Sequence, residues 1–268
     1  MTVRLITQTN TGGSARLALN WLSSIHRLHI AERAHIYCTD ATALDQVERY
    51  CREERITAGC SRARLTQPDD SVPPGEHPFG TRTFIKFTLW KLDLLIRLSV
   101  AQSDMVFKPF LFCDPDVVLL RDPESWLRGE RLSWPGNWLI FQSDRPDCAP
   151  PKSADAEYST GVIYQLAPTL EFWCSAYKWL QCRMPTTTGI EGPNFVHDQT
   201  AANAILEVFG TIPGYMSPVH SRNGAQSWDG DPVLVHSNWV VGNDTKEARL
   251  RDAGYWFAND KTLTEVGL

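Results

Sequence analysis

The sequence predicts an α/β fold: a mixed, mostly parallel sheet flanked by helices. Strand-like and helix-like segments alternate from the N-terminus, the pattern of parallel strands joined by right-handed crossovers. The chain has 268 residues, 43% of them hydrophobic and 21% charged, enough for one large domain or two small ones. No linker, internal repeat or low-complexity tract divides it, so a single domain over 1–268 is expected.

Residues 3–7 read as the first strand. The polar, glycine-bearing loop 9–13 leads to Ser14, which can cap a helix through Leu17, Leu19, Trp21, Leu22 and Ile25. Residues 34–38 read as a second strand and 43–55 as a helix, with Leu44, Val47 and Tyr50 recurring every three residues. Pro and Asp make 67–77 a loop. The strongest helical pattern spans 83–98, where Phe84, Phe87, Leu94, Leu95 and Leu98 form one apolar stripe. Lys86 lies opposite that stripe and reads as solvated. Lys91 interrupts it, so its ammonium needs a partner or a route to water.

A strand over 110–120 follows and stops at Arg121-Asp122-Pro123. Residues 134–138 form a turn, 139–142 a short strand and 143–157 a Pro- and Asp-rich loop. A strand over 160–166, a helix over 170–182 and a loop over 186–194 come next. His197 or Asp198 opens a helix through Ala202, Ile205, Leu206 and Phe209. A last strand over 232–236 and a terminal helix over 246–256 complete the chain.

Composition excludes several classes. The net charge of −5 gives no global basic field to attract nucleic acid. The seven cysteines are odd in number and include no CxxC pair, which favours neither a disulfide framework nor a zinc knuckle. Cys38 and Cys113 lie in apolar runs and read as core thiols in a reducing compartment. The N-terminal apolar run is too short for a signal peptide, and no stretch approaches the about 20 apolar residues of a membrane helix. A soluble, cytoplasmic protein is expected.

The most informative segment is the apolar run 110–120, broken by Asp114 and Asp116 with one residue between them. Burying unpaired carboxylates costs several kcal/mol. The acids must therefore sit where the strand surfaces, or hold a cation, or both. In a strand, residues i and i+2 project to the same side, so both can approach one hard divalent ion, directly or through water. A turn that merely happens to be rich in acids is the plain alternative. His236 closes the apolar run 232–235 and is followed by Ser237-Asn238-Trp239-Val240-Val241-Gly242, a polar, glycine-containing sequel that favours a site over a structural histidine. Lys246 could neutralise a diphosphate, or be a solvated charge at the start of a helix. Asp198 and Gln199 open a helix; N-capping competes there with a ligand role. Ser159, Thr160 and Gly161 let a ligand approach the backbone closely, or form a simple turn.

Taken together, Lys91, the 112–123 segment Phe-Cys-Asp-Pro-Asp-Val-Val-Leu-Leu-Arg-Asp-Pro, the 159–164 segment Ser-Thr-Gly-Val-Ile-Tyr, Asp198-Gln199, the 236–242 segment and Lys246 occur in an order that resembles the nucleotide-diphospho-sugar transferase family of GT-A fold glycosyltransferases. The resemblance covers residues 80–256 well and the first 60 loosely. It implies a Rossmann-like GT-A fold with a nucleotide-binding half over 1–123, and an acceptor-binding half over 124–268 that carries the metal and diphosphate loop. It implies transfer of a sugar from a nucleotide diphosphate donor, UDP being the first choice, to a glycan or other hydroxyl acceptor, with retention at the anomeric carbon. Asp114, Asp116 and His236 would hold Mn²⁺ or Mg²⁺. Thr7, Thr9, Asn10 and Asp40 would line the nucleoside pocket at the carboxyl ends of the first two strands. Lys91, Asp114, Ser159, Thr160, Gly161, Gly242 and Lys246 would contact the donor. Asp198 and Gln199, the catalytic candidates, would lie near the donor sugar, with no nucleophile assigned. Pro115 stiffens the acidic motif, and Ser159 stands where related enzymes often carry Asn.

Two other classes compete. Asp114-Pro115-Asp116-Val117-Val118 also satisfies the signature of a haloacid-dehalogenase-type phosphatase, but that motif ends the first core strand, and here over a hundred residues precede it. A non-catalytic carbohydrate-binding protein would use some of the ten tryptophans, such as Trp134, Trp138, Trp228 and Trp239, as stacking platforms. It would have no need of Asp114, Asp116 and His236 together.

Overall fold

The computed structural model describes residues 2–62, 77, 79–100, 107–145, 158–184, 196–210 and 213–268. The expected loop over 186–194, most of those over 67–77 and 143–157, and Cys148 lie outside these residues.

In chain order the elements are β1 (Arg4–Thr9), α1 (Gly13–Arg27), β2 (Ala34–Cys38), α2 (Ala41–Glu53), β3 (Gly59–Arg62), α3 (Arg82–Val100), β4 (Phe110–Cys113), β5 (Val117–Leu119), α4 (Glu124–Ser133), β6 (Leu139–Ser143), β7 (Tyr158–Gln165), α5 (Leu170–Arg183), α6 (Asp198–Phe209), β8 (Gly214–Tyr215), β9 (Ser221–Arg222), β10 (Leu234–His236), α7 (Asn243–Asp252) and α8 (Asp260–Glu265). Seven strands form one sheet in the order β3-β2-β1-β4-β7-β6-β8, and β5-β10-β9 form a second. The large sheet is parallel except at β7, which runs antiparallel to both β4 and β6.

Alternation along the strands builds a core on each face. Leu5, Leu111 and Cys113 pack with α1 residues such as Trp21 and Leu22. Ile6, Phe110 and Phe112 pack with α3, α5 and α6. Each fully buried phenylalanine contributes about 1.5–3 kcal/mol by leaving water. Cys38 and Cys113 are buried within this core.

Several expectations need correction. The 110–120 segment is not one strand. It breaks after Cys113 into a turn closed by Val117 N–H donating to the Asp114 carbonyl at 3.1 Å, with Pro115 at the second turn position, where its fixed φ is favoured. β5 then enters the small sheet, antiparallel to β10. Ser14 does not cap α1. Gly12, at φ +101°, precedes the helix with no side-chain cap, and the Ser14 hydroxyl lies 3.1 Å from that of Thr9. The single stripe on α3 is too narrow: Ile85, Thr88 to Leu95 and Leu98 are buried, whereas Phe84 and Phe87 are only half-buried, because the helix is wedged between the sheet and α5 and α6. The terminal helix spans Asn243–Asp252 rather than 246–256, since Gly254 turns the chain at φ +74°. The unforeseen α8 then docks on α2, where the Thr262 hydroxyl donates to Glu54 and Gln46 Nε2 donates to the Gly267 carbonyl at 3.2 Å.

Candidate active site

The antiparallel run of β7 decides the site. It sets the second half of β7 against β4, with Cys113, at the carboxyl end of β4, opposite Val162. Asp114 N–H extends the ladder by donating to the Gly161 carbonyl at 2.7 Å. Asp116, two residues on, is held by β5 and β10: its carbonyl accepts from Ser237 N–H at 3.0 Å, and His236 pairs with Val117. The three side chains converge where the two sheets meet. Oxygens of Asp114 and Asp116 and a ring nitrogen of His236 lie within 4.8 Å of one another.

Gly161 is required by this packing. A Cβ there would lie 2.2 Å from His236 Cε1 and 3.0 Å from Asp114 Oδ2. The imidazole is oriented from behind. His236 Nδ1 is 2.7 Å from Gln142 Oε1, and Gln142 Nε2 donates to Ser221 Oγ at 2.9 Å. With the amide nitrogen engaged as a donor, Oε1 accepts from Nδ1–H, so Nε2 carries the lone pair and faces Asp116 at 3.3 Å. Two hard carboxylates and an imidazole lone pair suit a divalent Mn²⁺ or Mg²⁺, so the residues present fit the implied ion.

Two lysines balance the acids. Lys91, 4% exposed, bridges Asp114 Oδ1 at 2.7 Å and Asp198 Oδ2 at 2.8 Å. Burial disfavours its charge, but the two carboxylates outweigh that and raise its pKa. This is the partner its place in the apolar stripe demanded. Lys246 Nζ lies 2.8 Å from Asp116 Oδ2, and its pKa is likewise raised by Asp116 against burial. Burial works against ionisation of Asp116, yet the Lys246 ammonium holds its carboxyl well below the usual range. Asp198 behaves the same way through Lys91 and His197, and also accepts from the Thr160 hydroxyl at 2.5 Å. Asp114 goes the other way: burial raises its pKa, Lys91 offsets only part of that, and Asp116 and Asp198 add to the rise. Three carboxylates thus face two ammonium groups, an excess of negative charge where a cation would sit.

Asp114, Asp116, Asp198, His236 and Lys246 floor a cleft of about 590 Å³, lined also by Ser159, Thr160, Gly161, Gln199 and Gly242; Lys91 lies behind them and is not among the described residues lining it. Asp198 is the first residue of α6 rather than its cap, which frees its carboxylate for Lys91. Thr7, Thr9, Asn10 and Asp40 stand apart from the acids. They are buried at the carboxyl ends of β1 and β2 and are not among the described residues lining the cleft. Asp40 caps α2 through Ala43 N–H at 2.8 Å and accepts from Thr11 N–H at 2.9 Å.

Sequence reasoning missed Gln142 and Asp144. Asp144 lines the cleft and accepts from Gln199 Nε2 at 2.8 Å, Asn238 Nδ2 at 2.9 Å and Trp239 Nε1 at 3.1 Å. The available signal was the one used for Asp114: polar residues closing an apolar strand.

The family profile described as nucleotide-diphospho-sugar transferase matches residues 41–250. The chain belongs to that family. The phosphatase and lectin readings are not favoured. Among curated relatives, a UDP-D-xylose:L-fucose alpha-1,3-D-xylosyltransferase of Arabidopsis thaliana is 23% identical over 91% of this chain, which spans 66% of that relative's length. A second Arabidopsis xylosyltransferase of the same description is 24% identical over 91% of the chain and 68% of its own. Among solved structures, the galactosyltransferase LgtC in complex with donor and acceptor sugar analogs aligns at TM-score 0.55 and 13% identity, covering 98% of this chain and 94% of its own. Mouse xyloside xylosyltransferase 1 aligns at 0.52 and 13% identity, over 88% and 98%. These structural likenesses establish the GT-A fold. No described helix is long and apolar enough to cross a membrane.

Proposed function

We infer that this chain is a metal-dependent, retaining transferase that moves a sugar from a UDP-linked donor to a hydroxyl of a glycan acceptor. The observation that carries the reading is the convergence of Asp114, Asp116 and His236 within 4.8 Å at the cleft floor, with Lys246 beside them. UDP as nucleotide and xylose as first sugar to try come from the activities of the Arabidopsis relatives. Retention is the stereochemistry implied by the family resemblance.

Each residue has a task in this reading. Asp114, Asp116 and His236 Nε2 would hold the divalent ion, which when bound would supply positive charge to offset the negative charge developing on the leaving diphosphate. Lys246 leaves Asp116 for the diphosphate, which also meets the N-terminus of α7 at Gly242, where free backbone N–H groups favour anions. Asp198, fixed by Lys91 and Thr160, accepts a hydroxyl of the donor sugar. Gln199 donates its amide N–H to Asp144 and presents its carbonyl oxygen to the reacting sugar. Ser159 and Gly161 give the ring room against the β7 backbone. The nucleoside runs along the sheet edge toward Thr7, Thr9, Asn10 and Asp40.

Calorimetry with UDP, with and without Mn²⁺, tests the reading, followed by hydrolysis of a panel of UDP-sugars. Metal-dependent UDP binding that is lost in Asp116→Ala with the fold retained is the expected result. Turnover by that variant at the normal rate would overturn it, as would hydrolysis of a generic aryl phosphate in place of nucleotide sugars.

A further inference from the structure

The charged floor of the cleft gives way to aromatic lips. Trp239, 52% exposed, and Phe79, 47% exposed and packed edge-on to Phe84 at 5.1 Å, both line it. Trp239 is unusual on a second count. Its backbone sits at φ +64°, in the left-handed region that disfavours any residue with a Cβ. A bulky aromatic held there and left half in water is costly on both counts, and such strain persists only where its surroundings enforce it. Asp144 holds the side chains of this loop, taking both the indole N–H and the Asn238 amide on Oδ1. The other oxygen, Oδ2, holds Gln199. One carboxylate therefore sets the indole ring and the amide beside the expected reaction centre in a fixed relation.

We propose that Trp239 is the stacking platform for the acceptor, a sugar ring whose C–H face lies on the indole while its hydroxyl rim turns toward Asp144 and Gln199. This rests on the reading of the cleft as a nucleotide-sugar site. The chemistry of a pyranose matches the wall: one apolar face for an aromatic ring, and a polar edge for the fixed amide and carboxylate. Sheet order separates this place from the nucleoside. Asp144 follows β6, which β7 and β4 divide from β1 and β2. The indole is thus set apart from the sheet edge that would receive the base.

The test uses the full chain loaded with UDP and Mn²⁺, and methyl glycosides of L-fucose, D-xylose and D-galactose as probes, titrated by saturation-transfer NMR. Binding of UDP by the wild type settles the underlying reading first. Trp239→Ala is expected to weaken the best glycoside at least tenfold while UDP affinity stays within threefold. Trp239→Phe keeps a ring and loses less. Trp239→Gly relieves the backbone, so its melting temperature should not fall below the wild type although glycoside binding is lost; a merely structural indole would lower it. The proposal is overturned if no methyl glycoside binds the UDP-loaded wild type, if Trp239→Ala binds it within twofold, or if the variant loses UDP affinity instead, which would make the indole a platform for the base.

Discussion

Replacing Lys91 by Met removes an ammonium that is 4% exposed and lies within 2.8 Å of two carboxylates, while keeping most of the side-chain volume. Methionine fills the hole beside Phe112, whose ring centroid lies 5.2 Å from Nζ, so the cavity term is small. The loss is electrostatic. Asp198, 6% exposed, retains the Thr160 hydroxyl and His197; Asp114, 28% exposed, retains partial access to the cleft. Breaking a buried pair from one side costs about 3–5 kcal/mol, and because Asp114 can still reach water the lower end is expected. The sign of the pH dependence follows. In the wild type the Asp198 pKa is lowered, so its contribution is present above the unfolded value and is lost only as pH falls through the lower folded one. The Asp114 pKa is raised already, and losing Lys91 raises it further. In that window the native state binds more protons than the unfolded chain, so stability falls as pH rises. The variant should therefore be about 3 kcal/mol less stable than wild type near pH 7.5, with the gap narrowing toward pH 5. Urea unfolding at both pH values measures it. A deficit below about 1 kcal/mol at pH 7.5, or a gap that widens on acidification, would refute the reasoning.

Gly161→Ala forces a Cβ to within 2.2 Å of His236 Cε1; overpacking of this kind costs about 1–3 kcal/mol, and Mn²⁺ titration should show weakened binding as the imidazole is displaced. Gln142→Leu removes the acceptor that fixes the His236 tautomer. Mn²⁺ affinity should fall about 10–100-fold, and the ring nitrogen shifts of His236 should show a mixture of tautomers. Burial pushes the Cys38 and Cys113 thiols far above their ordinary pKa and Cys51 up to about 12, while Cys182 is exposed. Alkylation of the native protein at pH 8 should therefore label Cys182 and spare the other three, as peptide mass analysis would show.

What could be read in advance depended on whether a residue announced its own need. Lys91 did, because a charge inside an apolar stripe must find a partner. Asp114 and His236 did, because each closes an apolar run, and Asp116 did as a second acid set between two apolar runs. The break between β4 and β5 did not. Val117, Val118 and Leu119 are as apolar as the strand before them, and Pro115, read for stiffness, was the one local sign of the turn. Gln142 and Asp144 stayed silent because their partners His236 and Asn238 lie 94 positions away. The burial of α3 on both sides depends on α5 and α6, which no window within α3 contains. Ser14 was misjudged at short range, since the glycine pair at 12 and 13 lets α1 begin two residues earlier.

Asp114 leaves the large sheet, and Asp116 leads into a strand whose neighbour arrives from the far end of the chain carrying His236. A ribosome-bound or truncated polypeptide stopping short of residue 234 would lack both the imidazole and the strand that steadies the second acid. A cation held as proposed would therefore need β10 in place, and a manganese titration would report on the docking of that strand as sensitively as on chemistry.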